Sequence, residues 1–253
     1  MFNLPPGETV DAEIDLGVNQ MEFPFECGCV SHFKPRAHNP CAHRLVYGGR
    51  VVGWLAEAEG KQEFVAGGGD PRRIASVASF FVSRIDALVD STLEQMLQDE
   101  KDEDRRASLE ALRGRVAIAN AKLAYQHYQA LSAGDRWQAL AAKGARPQRL
   151  LWASTGVKNP TYRDVLYVEE LIGPDTVNTM PVPTFEAFRD HGVVAATLTL
   201  GVDNARQVMA ALETVGISML DVTDRLQTDA VRLFVVPFDK LLGAIETRCA
   251  VMP

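Results

Sequence analysis

The chain has 253 residues, 47% hydrophobic and 23% charged, which is ordinary for a globular protein and excludes wholesale disorder, collagen and coiled coil. A formal net charge of −7 leaves no overall positive charge with which to attract nucleic acid or an anionic membrane. The apolar runs are too short to span a bilayer, and the acidic first residues lack the features of a secretion signal. We therefore predict a cytoplasmic protein with neither nucleic acid nor a membrane as a partner.

The first 66 residues predict an irregular leader rather than a helical segment. They hold three of the five histidines, three of the four cysteines and several prolines, without a sustained helical period. Within them, the run LVYGGRVVGW places two β-leaning stretches around Gly48 and Gly49. This predicts a hairpin with a two-residue turn, because glycine adopts positive φ at little cost. The three glycines at 67–69 mark a boundary, so we divide the chain into a leader at 1–66 and a second region at 67–253.

From residue 74 onward, apolar stretches of strand length alternate with amphipathic helical stretches. This alternation is typical of an α/β fold in which helices cover a parallel sheet. The predicted strands are 74–82, 149–154, 176–181 and 193–200. The predicted helices are 83–97, 107–131 with a break near Gly114, a short one from Asp135, 163–171, one with Thr184 as its N-cap, 204–215, 218–226, and 237–248 with Pro237 in its first turn.

In α/β barrels, the active site lies at the carboxyl ends of the parallel strands. The residues that follow each predicted strand are therefore the candidates for binding and catalysis. Arg84 and Lys158 each lie a few residues past a strand, where two cations can clamp a phosphate, arginine through its planar fork and lysine as a point charge. The competing interpretation is that both are solvated surface residues. Ser79, inside an apolar strand, is either a small core residue or a hydroxyl that faces a substrate.

Two other features have both a chemical and an ordinary interpretation. Lys122 can form a Schiff base if it is desolvated, but a lysine in the middle of a helix is usually a surface residue. Cys27, Cys29, Cys41 and His43 supply donors for tetrahedral zinc, but their spacing is tighter than is usual in zinc sites. We therefore assign no metal site and no cofactor.

Four runs, in order along the chain, closely resemble the class I transaldolases: VASFFVSRID, VAIANAKLAYQ, LLWASTGVKNPTY and LIGPDTVNTMP. The resemblance begins near residue 67 and continues to near the C-terminus. It implies a (β/α)8 TIM barrel and a cofactor-free transfer of a dihydroxyacetone unit between sugar phosphates. In the pentose phosphate pathway, this reaction converts sedoheptulose 7-phosphate and glyceraldehyde 3-phosphate to erythrose 4-phosphate and fructose 6-phosphate.

The resemblance also implies roles for four residues. Ser79 corresponds to the hydroxyl that contacts the dihydroxyacetone moiety, and Arg84 corresponds to a phosphate ligand. Ser154 would lie beside the substrate, and Lys158 takes the place of the second phosphate-binding cation. Sugar phosphates are therefore the implied partners.

The family's earlier strands, which carry the Schiff-base lysine, have no counterpart that we can identify in the chain. None of its seven lysines falls within a predicted apolar strand. The resemblance therefore implies an incomplete barrel that holds the last three or so strands and the C-terminal helices, with no assignable catalytic residue and impaired activity. The alternative is a non-catalytic fragment, or an interaction module that binds a sugar phosphate or zinc. The open sheet edges of an incomplete barrel predict self-association.

Overall fold

The computed structural model describes the backbone of residues 45–46, 50–51 and 53–251, and the side chains from residue 60 to 248 except 231 and 234. The candidate zinc ligands Cys27, Cys29, Cys41 and His43 lie outside the described residues. Among those that are described, no group of three or more histidine, cysteine or acidic residues could hold a metal ion. Likewise, none of the described helices combines the length and the apolar character needed to cross a membrane.

Two short strands open the described part of the chain. β1 (Leu45–Val46) and β2 (Arg50–Val51) pair antiparallel, which confirms the predicted hairpin. Val46 pairs with Arg50, so three residues separate the paired positions rather than the predicted two. The strands are too short to form a core by themselves.

A helix, α1 (Gly53–Ala66), follows the hairpin, so the expectation of no helix in the first 66 residues is wrong. Tertiary contacts hold this helix in place, as is usual for short helices whose own sequence pattern is weak. Lys61 is 3% exposed, its Nζ donates to the Arg146 carbonyl at 2.5 Å, and the same Nζ lies 5.2 Å from the centroid of the Trp137 ring. These contacts join the segment before residue 67 to the segment after it.

Three parallel strands form the main sheet, in the order β3 (Val77–Phe81), β4 (Arg149–Ala153), β5 (Thr176–Asn178). All three fall within predicted strands. Phe80 of β3 pairs in register with Trp152 of β4, and their rings meet edge to face at 5.6 Å on the face that the helices cover. Because successive side chains of a strand alternate between faces, Ser79 lies on the opposite face of the sheet.

The helices between β3 and β4 agree with the sequence prediction, except that the second of them begins at Glu103, four residues before the predicted start at 107. They are α2 (Ser83–Asp99), α3 (Glu103–Glu110), α4 (Val116–Ala133) and α5 (Asp135–Ala141). The predicted break falls at Gly114, whose φ of 68° belongs to the left-handed region. A Cβ added to Gly114 would also lie 2.8 Å from the Tyr162 ring, so glycine serves both the turn and the close packing there.

Beyond β4 lie α6 (Leu166–Glu170), α7 (Val182–His191) and α8 (Val202–Thr214). Thr184 is buried inside α7 and is not its N-cap, because Pro183 suits the first turn and the helix begins two residues before Thr184. Residues 193–200 form no strand. Val193 and Val194 are 60% and 78% exposed, and only Leu198 of this apolar run is fully buried, so the run lacks the sheet partner that a strand requires.

A single long helix, α9 (Met219–Val251), takes the place of the two helices predicted at 218–226 and 237–248. Pro237 lies inside α9 rather than in a first turn. Proline removes one main-chain hydrogen bond, and Val236 before it and Phe238 after it are weak helix formers, so the helix continues through Pro237 against the local propensity. From Leu233 to Ile245, the large apolar side chains described on this helix are 43–60% exposed.

Together these elements give an α/β fold in which helices cover one face of a three-stranded parallel sheet. The main core lies between that face and helices α2, α4 and α8. The arrangement leaves the carboxyl ends of β3 and β4 side by side, each followed by a segment that carries a candidate residue.

Candidate functional site at the carboxyl end of the sheet

The segments that leave β3 and β4 are joined directly where the strands end. Val82 N–H donates to the Ala153 carbonyl at 2.9 Å, and Ser83 N–H donates to the Ser154 carbonyl at 3.0 Å. The Ser83 and Ser154 hydroxyl oxygens are 2.8 Å apart, which is hydrogen-bond distance. Ser154 adopts a left-handed φ of 57°, which is strained for a serine and depends on such bonds to persist.

Ser79 and Arg84 belong to the face of the sheet that the described helices leave less covered. Ser79 is 5% exposed, while Phe81 and Leu151 on the same face are half-buried. The Arg84 guanidinium lies 4.5 Å from the centroid of the Phe81 ring, which is cation–π contact. Arg84 therefore lies at the carboxyl end of the face that carries Ser79.

Lys158 lies on the loop that follows β4 and is exposed. Thr155, at the start of this loop, is fully buried, and its hydroxyl lies 2.8 Å from the Asn178 side-chain oxygen and 2.9 Å from the Thr179 carbonyl. At its far end, Tyr162 donates its hydroxyl to an Asp90 oxygen at 2.8 Å. The loop is therefore fixed at both ends, with Lys158 in its middle.

The polar side chains of α2 face this loop across a cleft of about 200 Å³. Asp86, Asp90 and Glu94 contribute one wall, and Lys158 and Tyr162 contribute to the other. The structure therefore places Lys158 close to carboxylates, a feature that the sequence interpretation lacked. Those carboxylates reduce the net positive charge that Lys158 offers to an anion.

Asp86 and Asp90 are buried carboxylates that anchor the start of α4. Asp86 accepts hydrogen bonds from Ala117 N–H at 2.8 Å and from the Tyr167 hydroxyl at 2.9 Å. Asp90 accepts from Gly114 N–H at 3.0 Å as well as from Tyr162. Ala117 N–H belongs to the first turn of α4, where N–H groups have no partner within the helix, and Gly114 N–H belongs to the turn just before it, so the two carboxylates satisfy donors that would otherwise be unpaired.

Burial raises the pKa of Asp86 to about 7, even though its hydrogen bonds favour the charged form. The neighbouring charge of Asp90 acts in the same direction. Burial also raises the pKa of Asp90, against the effect of the Tyr162 hydroxyl and Gly114 N–H. The Asp86 carboxyl therefore changes between its neutral and its charged form near neutral pH in the folded chain, as its raised pKa requires.

Lys122 is 7% exposed, so the expectation that it is a surface residue is wrong. Its Nζ donates to Glu170 at 2.8 Å and to the Leu200 carbonyl at 3.2 Å, contacts that pair its charge within the fold. Lys122 lies on α4 rather than on a strand, in agreement with the prediction. Among the described residues, no lysine lies on β3, β4 or β5.

The sequence interpretation missed Asp86 and Asp90, although a signal for both was available. Asp86 and Asp90 recur on α2 with Val89, Leu93 and Leu97 at the spacing of one helical face, and all five residues are buried. A carboxylate on the buried face of a helix requires hydrogen-bond donors, and only the fold could identify these as the start of α4 and two tyrosines.

Parallel strands with polar and cationic residues at their carboxyl ends are the arrangement of α/β proteins that bind small ligands at that edge. A family model described as Transaldolase/Fructose-6-phosphate aldolase matches residues 41–245, and the chain belongs to this family. The resemblance was expected to begin near residue 67, but the match to the family model begins earlier, at residue 41.

Individual transaldolases show the same relationship. The chain is 46% identical over 195 residues to a transaldolase of Trichodesmium erythraeum, a match that covers 76% of this chain and 51% of that protein. It is 47% identical over 194 residues to transaldolase 2 of a Nostoc species, covering 76% and 51%. It is 48% identical over 187 residues to a transaldolase of Frankia alni, covering 74% and 48%. The chain thus spans about half the length of the curated relatives it matches.

Proposed function

We propose that this chain binds sugar phosphates at the carboxyl ends of β3 and β4 and takes part in transaldolase chemistry, the transfer of a dihydroxyacetone unit between sugar phosphates. In this proposal Ser79 and Ser154 contact the sugar, and Arg84 and Lys158 bind the phosphate. The 67–253 region supplies these residues as the last strands and C-terminal helices of a (β/α)8 barrel. The 1–66 leader and the cytoplasmic location remain predictions.

One observation carries the proposal: the segments that bear Arg84 and Lys158 leave adjacent parallel strands and are hydrogen-bonded to each other through Ser83 and Ser154. Two cations on joined segments at one edge of a sheet are suited to a dianionic phosphate, since arginine offers a bidentate contact and lysine a point charge. Ser79 lies on the sheet face where Phe81 and Leu151 are only half-buried, and Arg84 contacts Phe81 at the carboxyl end of that face, so we assign the sugar to this side.

Arg84→Ala is expected to weaken the binding of fructose 6-phosphate by about 1.5–3 kcal/mol, which is roughly ten- to a hundredfold, because it removes a charge-assisted contact to the phosphate. Isothermal titration calorimetry at low ionic strength measures this change. Arg206→Ala is the matched control, since Arg206 is 59% exposed on α8 and pairs with Asp203 of its own helix. Equal affinities for Arg84→Ala and the parent chain would contradict the assigned role.

Catalysis by the chain alone is expected to be impaired. Transaldol transfer begins when a neutral lysine amine attacks the ketose carbonyl, and an ordinary lysine is almost wholly protonated at neutral pH. Because no described strand carries a lysine, we predict no borohydride-reducible adduct with fructose 6-phosphate and no transfer to erythrose 4-phosphate above background. Mass spectrometry after reduction tests the first part. An adduct on Lys158 would assign it as the nucleophile instead of a phosphate ligand.

The alternative function is a non-catalytic module that binds a sugar phosphate and acts by interaction. Both proposals expect the isolated chain to bind phosphate without forming an adduct, so a reducible adduct or measurable transfer would exclude the non-catalytic module. Self-association through the open edges of the sheet stays a prediction in either case, and sedimentation of the purified chain measures it.

A further inference from the structure

The loop at residues 154–162 is attached to α2 at both of its ends. At the first end, Ser154 bonds to Ser83 through main chain and side chain, at 3.0 and 2.8 Å. At the second end, the Tyr162 hydroxyl bonds to Asp90 at 2.8 Å. Lys158 lies four positions from each attachment point. Arg84 belongs to the first turn of the same helix.

The second attachment is well built for holding a loop in one position. Asp90 is 6% exposed, and its other oxygen accepts from Gly114 N–H at 3.0 Å, so the carboxylate cannot rotate freely. The Tyr162 ring packs against Gly114, where a Cβ would come within 2.8 Å of it. Within the loop, Asn159 accepts from Thr161 N–H at 3.0 Å, and Tyr162 N–H donates to the Asn159 carbonyl at 3.1 Å, which makes the last turn rigid.

We propose that Asp90 and Tyr162 are positioning residues, whose hydrogen bond fixes the loop of Lys158 to the helix of Arg84 so that both cations meet one phosphate at a set spacing. This inference rests on the proposed function, because it assumes that Lys158 binds the phosphate. Neither residue needs to touch the ligand. Their contribution is to remove the conformational freedom that Lys158 would otherwise lose on binding.

The decisive variant is Tyr162→Phe, which keeps the ring that packs on Gly114 and removes only the hydroxyl. We expect it to weaken the binding of inorganic phosphate on the order of tenfold. Ser83→Ala removes the side-chain bond at the other attachment while the main-chain bond remains, and we expect a smaller loss, about twofold. Tyr125→Phe is the matched control: Tyr125 also donates a single hydrogen bond, to the Pro174 carbonyl at 3.0 Å, but it belongs to α4, away from the loop.

A double-mutant cycle with Lys158→Ala separates positioning from a general structural role. If Tyr162 acts through Lys158, then Tyr162→Phe should change phosphate affinity less than about twofold once Lys158 is absent. A tenfold loss in both backgrounds would overturn the proposal, as would unchanged affinity in Tyr162→Phe alone. Should phosphate bind equally well with and without Lys158, or not bind at all, the proposed function fails first and the positioning role fails with it.

Hydrogen exchange gives a second readout that needs no ligand. In Tyr162→Phe, the amides of residues 155–162 should exchange faster, while those of α2 and α4 keep their protection. Unchanged exchange in the loop would also overturn the proposal, since Tyr162 would then not be what holds it.

Discussion

Asp86→Ala is expected to lower the free energy of unfolding by about 2–4 kcal/mol at about pH 4, where the raised pKa of this carboxyl adds little cost to folding. The Asp86 side chain is 1% exposed and satisfies two buried donors, Ala117 N–H and the Tyr167 hydroxyl. Alanine leaves both donors without an acceptor and leaves a small cavity between α2 and the start of α4. Urea denaturation followed by circular dichroism measures the change.

The control for this variant is Asp239→Ala, because Asp239 is an exposed aspartate on a helix, α9. Its replacement should change the free energy of unfolding by less than about 0.5 kcal/mol. A loss at Asp86 no larger than at Asp239 would mean that the buried hydrogen bonds do not anchor α4, and would remove the structural role assigned to this carboxylate.

The sequence correctly predicted those elements that are determined by local residue preferences or by a pattern of burial on one face. The strand at β3, the amphipathic pattern of α2 and the glycine break at Gly114 were all confirmed. In each case a strong local signal agrees with the final packing. The family resemblance was confirmed in the same way, because it rests on several ordered motifs rather than on one spacing.

The wrong predictions fall where the answer depends on what packs against a segment. Residues 193–200 read as a strand because they are apolar, but most of them are exposed and only Leu198 is buried. Lys122 was expected on the surface because its position in a helix says nothing about which face the fold covers, and Glu170 comes from a distant segment to pair with it. Pro237 suits a first turn, yet it lies within α9.

The candidate site was predictable only in part for a related reason. Arg84 and Lys158 could be placed after strands from the sequence, since the strands themselves were recognisable. The acidic wall of the cleft could not be predicted, because Asp86 and Asp90 become neighbours of Lys158 only when the loop after β4 folds back onto α2. Local pattern thus identifies the candidate cations, and tertiary structure determines the charge around them.

The stability of the chain is expected to fall as pH rises from about 4 to 7 through the contribution of Asp86. Its pKa is raised to about 7 in the folded chain, whereas an aspartate in an unfolded chain titrates near 3.9. Between these values the folded state holds a proton that the unfolded state has lost, so the free energy of unfolding decreases with rising pH. Below about pH 4 both states are protonated, and above about pH 7 both are charged, so the contribution is constant outside that window.

Asp86→Asn isolates this effect, because asparagine keeps an oxygen for Ala117 N–H and its amide can donate to the Tyr167 oxygen. The variant should gain stability relative to the parent chain as the pH rises from 4 to 8, by up to about 4 kcal/mol for a shift of roughly three pKa units. Unfolding titrations of both chains at several pH values give the difference, in which the titrations of more distant groups largely cancel. A difference that stays constant or shrinks with rising pH would mean that Asp86 is charged throughout, and that its hydrogen bonds outweigh its burial.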